Sequence, residues 1–133
     1  MSSPYQVLIR TSPGASSAQV QRDLEQGLRE SGSRVEVGSA DREDAQDAQR
    51  FFRLMPNLSA DVTPSRAGQE GAIFVALISW ARTAGADIVI LLDWELVAAV
   101  RSRALEAIAS ERVFFERDVL PSLGGSATWI QRT

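Results

Sequence analysis

The sequence Asp87-Ile-Val-Ile-Leu-Leu-Asp93 is a continuous apolar run, rich in β-branched residues, with an acidic residue at each end. A short run of this composition is typical of a strand buried on both faces, as strands of parallel sheets are. Asp93 fits the N-cap of a following helix from Trp94 to about Ser110, with Glu95 in its first turn. Because Asp87 is also an acceptable N-cap, one long helix over residues 87–110 is the alternative.

The chain upstream of this run shows the pattern of a β-loop-α-β unit. Residues 5–11 alternate in polarity and predict a first strand, and Ser16 with Gln19 fits a capping box that opens a helix. Gly32 suits the end of that helix, and residues 34–37 predict a short second strand. This order fits either a parallel βαβ unit or the first half of a ferredoxin-like fold.

The other elements are predicted from shorter signals. Asp41 fits the cap of a helix that runs to about Met55, and residues 58–62 alternate as a short edge strand does. Residues 72–81 are apolar on nearly all sides, which predicts a helix that is buried or covered by a partner. Two further edge strands are predicted over residues 112–116 and 127–131.

Together these elements predict a single α/β domain over residues 1–133, with a mainly parallel central sheet flanked by helices. The stretches 5–37 and 86–108 resemble flavodoxin-like and TIR-like domains in their order of strands and Gly-terminated helix. That resemblance implies a doubly wound fold class and assigns no functional residue. The sequence does not resolve this topology from the ferredoxin-like one.

The chain contains no histidine, no cysteine and no lysine, and all 14 of its basic residues are arginine. It therefore lacks the thiolate nucleophile, the imidazole base, the Schiff-base amine and the usual zinc ligands. The absence of lysine fits either an Ala- and Arg-rich composition or selection against modification at lysine. We expect no cofactor, although Mg²⁺ held by carboxylates stays open.

The charge pattern excludes some classes of partner. The net charge is −3 and the arginines are scattered, whereas nucleic-acid binding needs a concentrated basic face. The first residues lack the pattern of a secretory signal, and the apolar run 72–81 is far shorter than the ~20 residues of a membrane span. We expect a cytoplasmic protein, such as a bacterial adaptor, that binds neither nucleic acid nor membrane.

Apolar and aromatic residues favour protein–protein interaction, with self-association into a homo-oligomer, as the function. Helix 72–81 carries more apolar surface than a domain of this size readily buries, and tryptophan near arginine is common in interface hot spots. The predicted interface residues are Phe74, Ile78, Trp80, Trp94, Phe114 and Trp129.

Acidic residues at strand ends support an alternative, a small-ligand or nucleotide-binding domain or a magnesium-dependent enzyme. Asp93 and Glu95 would lie where open α/β sheets bind ligands, with Asp41 or Asp44 nearby. The candidate catalytic residues are Asp93, Glu95 and Glu70, and the candidate ligand-binding residues are Ser12, Gly14, Ser16 and Arg66. Because Asp93, Glu95 and Ser16 also have adequate roles as helix caps or first-turn charges, the sequence favours interaction over catalysis.

Overall fold

A computed structural model describes residues 4–12 and 14–131, except for the side chain of Phe51. Within these residues, seven strands form one sheet in the order β2-β3-β1-β4-β5-β6-β7, where the labels follow the chain. The strands are β1 (Tyr5–Arg10), β2 (Arg34–Ser39), β3 (Leu58–Thr63), β4 (Asp87–Leu92), β5 (Glu95–Arg101), β6 (Ala104–Ile108) and β7 (Thr128–Ile130).

Three regular helices and one irregular helical segment surround the sheet. The helices are α1 (Ser17–Gly27), α2 (Arg42–Phe52) and α3 (Glu70–Ala84). The C-terminal helical segment (109–123) joins a 3₁₀ turn, Ala109–Glu111, a short α-helical turn, Arg112–Phe114, a π-helical turn, Phe115–Val119, and a second α-helical turn, Leu120–Leu123. Helix α1 begins where the capping box predicts, because the Ser16 Oγ accepts from the Gln19 N–H at 3.1 Å.

The predicted mainly parallel sheet is wrong, because among the described strands only the β6–β7 pair is parallel. Strand β3 lies between β1 and β2, so the connection from β1 to β2 through α1 passes over one antiparallel strand. Strand β1 lies between β3 and β4, so the connection from β3 to β4 through α3 does the same. The part β2-β3-β1-β4 has the strand order and directions of a ferredoxin-like βαββαβ unit. Helix α2 is added between β2 and β3, and β5 to β7 extend the sheet. Strand β4 is apolar on both sides because helices cover both of its faces.

The predicted helix from Trp94 to Ser110 is also wrong, and so is the alternative of one helix over 87–110. This region forms the antiparallel strands β4, β5 and β6, joined by the two-residue turns Asp93-Trp94 and Ser102-Arg103. All four turn residues have positive φ, between 51° and 68°, as type I′ turns require. Asp93 is compatible with such a turn, but neither pair has the glycine at the second position that usually marks a type I′ turn in a sequence. Pairing in the sheet overrides the helix preference of the Ala, Leu and Glu residues in these strands.

Two edge-strand predictions change as well. Residues 112–116 belong to the C-terminal helical segment instead of a strand, because the Phe115 ring is held in the core 5.2 Å from the ring of Phe74. Residues 58–62 do form a strand, but β3 pairs on both sides and is internal. The strand predicted over 127–131 is present as β7, parallel to β6.

The main core lies on one side of the sheet, here called the helix face, under α1, α3 and the C-terminal helical segment. Helix α3 buries Ile73, Phe74, Leu77, Ile78 and Ala81. Val75, Ala76 and Trp80 of the same helix are half-buried and pack against the same core. The helix is apolar on nearly all sides because the sheet, α1 and the C-terminal helical segment each contact it.

The opposite side of the sheet, here called the open face, carries one helix among the described residues. Leu8, Val89 and Ala99 form a row across β1, β4 and β5, and they cluster with Ala48 and Leu54 from α2 and the chain after it. Helix α2 therefore packs over the row formed by Leu8, Val89 and Ala99. The next row of open-face side chains, which includes Leu91, lies beside the helix. The cap of α2 is as predicted, since the Asp41 side chain accepts from the Asp44 N–H at 2.6 Å.

The outer edge of β2 is bonded to a side chain of α1. The Gln21 Nε2 donates to the Val35 carbonyl oxygen at 2.7 Å, and the Gln21 Oε1 accepts from the Val37 N–H at 2.6 Å. The glutamine amide thus makes the two hydrogen bonds that a neighbouring strand would make at this position.

Candidate functional site

The six predicted interface residues divide into buried, half-buried and exposed groups. Phe74 and Ile78 are 1% and 0% exposed, so a partner cannot reach them without rearrangement of this chain. Trp80, Phe114 and Trp129 are half-buried and pack against the main core, and the Arg112 guanidinium stacks 5.2 Å from the Trp129 ring. Trp94 alone of the six is well exposed, at 57%.

The candidate anion-binding residues do not come together. Ser12, Gly14 and Ser16 follow the end of β1, whereas Arg66 follows the end of β3, which is antiparallel to β1. The two groups therefore lie at opposite ends of the sheet, about 20 Å apart for six-residue strands. The Ser16 hydroxyl is already used as the cap of α1.

The candidate catalytic acids lie at one end of the sheet. Asp93 and Glu95 are exposed at the β4–β5 turn, and Glu70 begins α3 above the helix face. Across the described part of the chain, no three carboxylates are grouped closely enough to hold a metal ion.

A concave surface lies on the open face beside α2, and we call it the acidic groove. It has a volume of about 870 Å³. Its lining residues are Leu8, Asp41, Glu43, Asp44, Asp47, Phe52, Leu91, Trp94, Leu96, Ile108, Ile130 and Gln131.

The floor of the acidic groove is a row of apolar side chains on the open face, of which Leu91 and Ile108 are buried and Leu96 and Ile130 are half-buried. Leu91 pairs with Leu96 across β4 and β5, and Ile108 pairs with Ile130 across β6 and β7. Leu105 and Ala107 face the main core, so Ile108, the residue after Ala107, projects to the open face. The floor is therefore a continuous apolar strip that crosses the sheet.

The wall of the acidic groove is the N-terminal half of α2. Its four charged lining residues are all carboxylates: Asp41, Glu43, Asp44 and Asp47. Burial, and then the charge of Asp41, raise the pKa of Asp44 above its ordinary value. Burial is the larger cause, so the raised pKa reflects mainly the partly buried position of Asp44, and the neighbouring carboxylate of Asp41 adds to it.

The other rim of the groove is Trp94, held at a φ of 62° in the β4–β5 turn. A positive φ is unfavourable for a bulky residue, and such strain is concentrated at functional sites in proteins. The turn projects an indole ring beside a strip of aliphatic side chains and across from the carboxylates. This arrangement can bind a group that combines apolar surface with positive charge.

Sequence reasoning identified Trp94, Asp41 and Asp44 but not the site that they share. The floor residues Leu91, Leu96, Ile108 and Ile130 come from four strands, two of which, β5 and β6, the sequence pattern predicts as one helix. The available signal is the short apolar run of residues 96–100 between the charged residues Glu95 and Arg101, which also fits a buried strand.

Comparison of the chain with protein-family models, with curated proteins and with solved structures finds no significant match. Among the residues that the structure describes, every helix is too short or too polar to cross a lipid bilayer.

Proposed function

We propose that this protein is a protein-interaction module that binds a basic amphipathic helix of a partner in the acidic groove. One observation carries the proposal. An apolar floor lies beside a wall whose four charged residues are all acidic. A helix with an apolar face and a row of arginines or lysines matches both surfaces, as in other helix-in-groove complexes.

The dimensions of the groove suit a short helix. Its floor and rims extend from Leu8 on β1 to Ile130 on β7, across five adjacent strands. With about 4.8 Å between strands, the groove is about 19 Å long. At 1.5 Å per residue this is the length of a helix of about 13 residues, which would lie beside α2.

The charge of the groove favours a foreign partner over a second copy of this chain. Two copies that met through this face would bring two acidic walls together, and each copy carries a net charge of −3. The self-association predicted from the sequence would therefore need a different surface. Trp94 supplies the aromatic anchor that interface hot spots commonly contain, and it can also stack on an arginine.

A pair of designed peptides tests the proposal. One peptide of about 13 residues carries leucine on one helical face and arginine along its edge, and the other has glutamate at the arginine positions. We expect the arginine peptide to bind and to shift the Trp94 fluorescence to the blue as the ring is buried. Asp44→Asn/Asp47→Asn should weaken binding by about tenfold, which is about 1.4 kcal/mol.

The matched control removes two charges elsewhere. Glu30 and Glu36 are exposed outside the groove, so Glu30→Gln/Glu36→Gln should leave the affinity within about twofold of the unmodified protein. Equal weakening by both double variants would mean that only net charge matters and would overturn the assignment of the groove. Equal binding of the glutamate peptide would do the same.

A further inference from the structure

A second cavity lies on the helix face, at the end of the sheet where β1 begins and β4 ends, and we call it the Tyr5 pocket. Its volume is about 540 Å³. Its lining residues are Tyr5, Gly68, Glu70, Gly71, Ala72, Phe74, Leu92, Val97, Glu111, Phe114, Arg117 and Asp118. The sheet separates it from the acidic groove, so it is an independent feature of the molecule.

The polar group at the centre of this pocket has no protein partner. The Tyr5 side chain is 6% exposed, and its ring packs edge-on against Phe74 at 5.2 Å. Among the described residues, no group forms a hydrogen bond with its hydroxyl. The hydroxyl borders the cavity and keeps contact with solvent, so it is available as a hydrogen-bond partner for a bound ligand.

The charges around the hydroxyl are mainly negative. Arg117 pairs with its neighbour Asp118 at 2.7 Å, which leaves Glu70 and Glu111 to set the charge of the pocket. Neither of these two carboxylates forms an ion pair within the described parts of the chain. Burial, and then the charges of Glu70 and Glu111, raise the pKa of Tyr5 to about 12, so the phenol is neutral at physiological pH.

The remaining walls are apolar and aromatic. Phe74, Leu92 and Phe114 face the cavity, and the rings of Phe74 and Phe114 lie 5.8 Å apart in an edge-to-face arrangement. Aromatic rings bind both apolar groups and organic cations. The pocket therefore offers a neutral hydroxyl and two carboxylates to a polar head, and rings to an apolar body.

We propose that the Tyr5 pocket binds a small organic ammonium ion with an apolar body. The carboxylates of Glu70 and Glu111 attract the ammonium group, and the phenolic oxygen of Tyr5 accepts one of its hydrogen bonds. The cavity volume lies within the range of small-molecule sites in proteins. This ligand differs in size and location from the helix proposed for the acidic groove, so either assignment can fail alone.

The test uses the full chain, labelled with ¹⁵N, and benzylamine, with the isosteric neutral molecule benzyl alcohol as the control ligand. We expect benzylamine to produce saturable amide shifts at Tyr5, at the start of α3 and around Phe114. Glu70→Gln/Glu111→Gln should weaken binding by about tenfold or more, and Tyr5→Phe by about threefold. Glu30→Gln/Glu36→Gln should have no effect.

Three results would overturn this assignment. Benzyl alcohol that shifted the same amides with the same affinity as benzylamine would show that the ammonium charge does not contribute to binding. Unchanged benzylamine affinity in the glutamine variants would show that the carboxylates of Glu70 and Glu111 do not bind the ammonium group. Shifts confined to Trp94 and α2 would place the cation in the acidic groove. If the double variant does not fold, Glu111→Gln alone is decisive, because Glu111 is an exposed residue of the C-terminal helical segment.

Discussion

Gly71 in the first turn of α3 lies directly against Asp118 of the C-terminal helical segment. A Cβ atom placed on Gly71 would be 3.0 Å from both the Cβ and the carbonyl oxygen of Asp118. Real Cβ atoms rarely approach other atoms so closely, and a backbone carbonyl cannot move aside as a flexible side chain can. The absence of a side chain at Gly71 therefore lets the two helices meet at the rim of the Tyr5 pocket.

Gly71→Ala should destabilise the protein in spite of the better helix preference of alanine. The gain in preference is about 1 kcal/mol, whereas overpacking of a close contact costs about 1–3 kcal/mol. We expect a net loss of about 1 kcal/mol in the free energy of unfolding, measured by urea denaturation. Gly27→Ala is the control, because its Cβ would lie 3.9 Å from that of Ala76 in ordinary contact. That change should be neutral or stabilising, and a Gly71→Ala variant that is as stable as Gly27→Ala would contradict the contact.

Tyr5 should make the stability of the protein depend on alkaline pH. Its pKa is raised from 10.0 to about 12 in the folded chain, chiefly by burial. Because the folded pKa exceeds the unfolded one, the stabilisation is fully present below pH 10 and is lost as the pH rises through about 12. The chain has one tyrosine and no lysine or cysteine, so few other groups titrate in this range.

The ultraviolet absorbance of the phenolate measures this pKa directly. We expect the folded protein to titrate about two pH units above the same chain in concentrated urea, as the shift to about 12 requires. Tyr5→Phe should abolish the absorbance change and flatten the loss of stability between pH 10 and 12. Identical titration of the folded and unfolded chains would show that Tyr5 is solvated.

Trp94→Gly should raise stability and weaken peptide binding in the acidic groove. The left-handed conformation costs a non-glycine residue roughly 1–2 kcal/mol, and glycine removes this cost together with the indole ring. Arg103→Gly is the matched control, since Arg103 occupies the equivalent position of the β5–β6 turn at a φ of 68°. Both variants should melt at higher temperature, and only Trp94→Gly should lose affinity for the arginine peptide. Loss of affinity in both would mean that rigidity of the hairpins, and not the indole, controls binding.

Gln21→Ala should destabilise the protein because it leaves two groups of β2 without partners. The Val35 carbonyl and the Val37 N–H both bond to the Gln21 amide, and an unpaired, partly buried backbone group costs about 1–3 kcal/mol. Gln26→Ala, an exposed change of the same type on the same helix, should alter the free energy of unfolding by less than about 0.5 kcal/mol. Similar effects of the two changes in thermal and urea unfolding would show that water replaces the Gln21 amide at no cost.

Local signals in the sequence predict several elements of this fold correctly. The alternation of residues 5–10, the Ser16 and Asp41 caps, and the end of α3 at Gly85 each depend on a few neighbouring residues. The sequence does not predict the β4–β5 and β5–β6 hairpins, because Asp93-Trp94 and Ser102-Arg103 lack the glycine that usually marks a type I′ turn. The composition of residues 94–110 instead predicts a helix, and a buried strand followed by a helix predicts a parallel sheet.

The two candidate sites depend on pairing between distant segments, which composition and spacing do not encode. The floor of the acidic groove exists only once Leu91 is in register with Leu96 and Ile108 with Ile130. The Tyr5 pocket requires that the first strand, the start of α3 and the C-terminal helical segment meet at one end of the sheet. The sequence identifies Glu70 and Trp94 as candidate residues, but it does not predict the pocket or the groove that each of them lines.

The Gln21 amide occupies hydrogen-bonding groups on the outer edge of β2, so it hinders the addition of another strand to that side of the sheet. An unprotected edge strand is a template on which a further strand, from a fibril or from a partner peptide, can grow. Here an incoming strand would first have to displace two hydrogen bonds of 2.6 and 2.7 Å and detach part of α1 from the edge. One side chain thus biases the molecule against strand-by-strand polymerisation on that side.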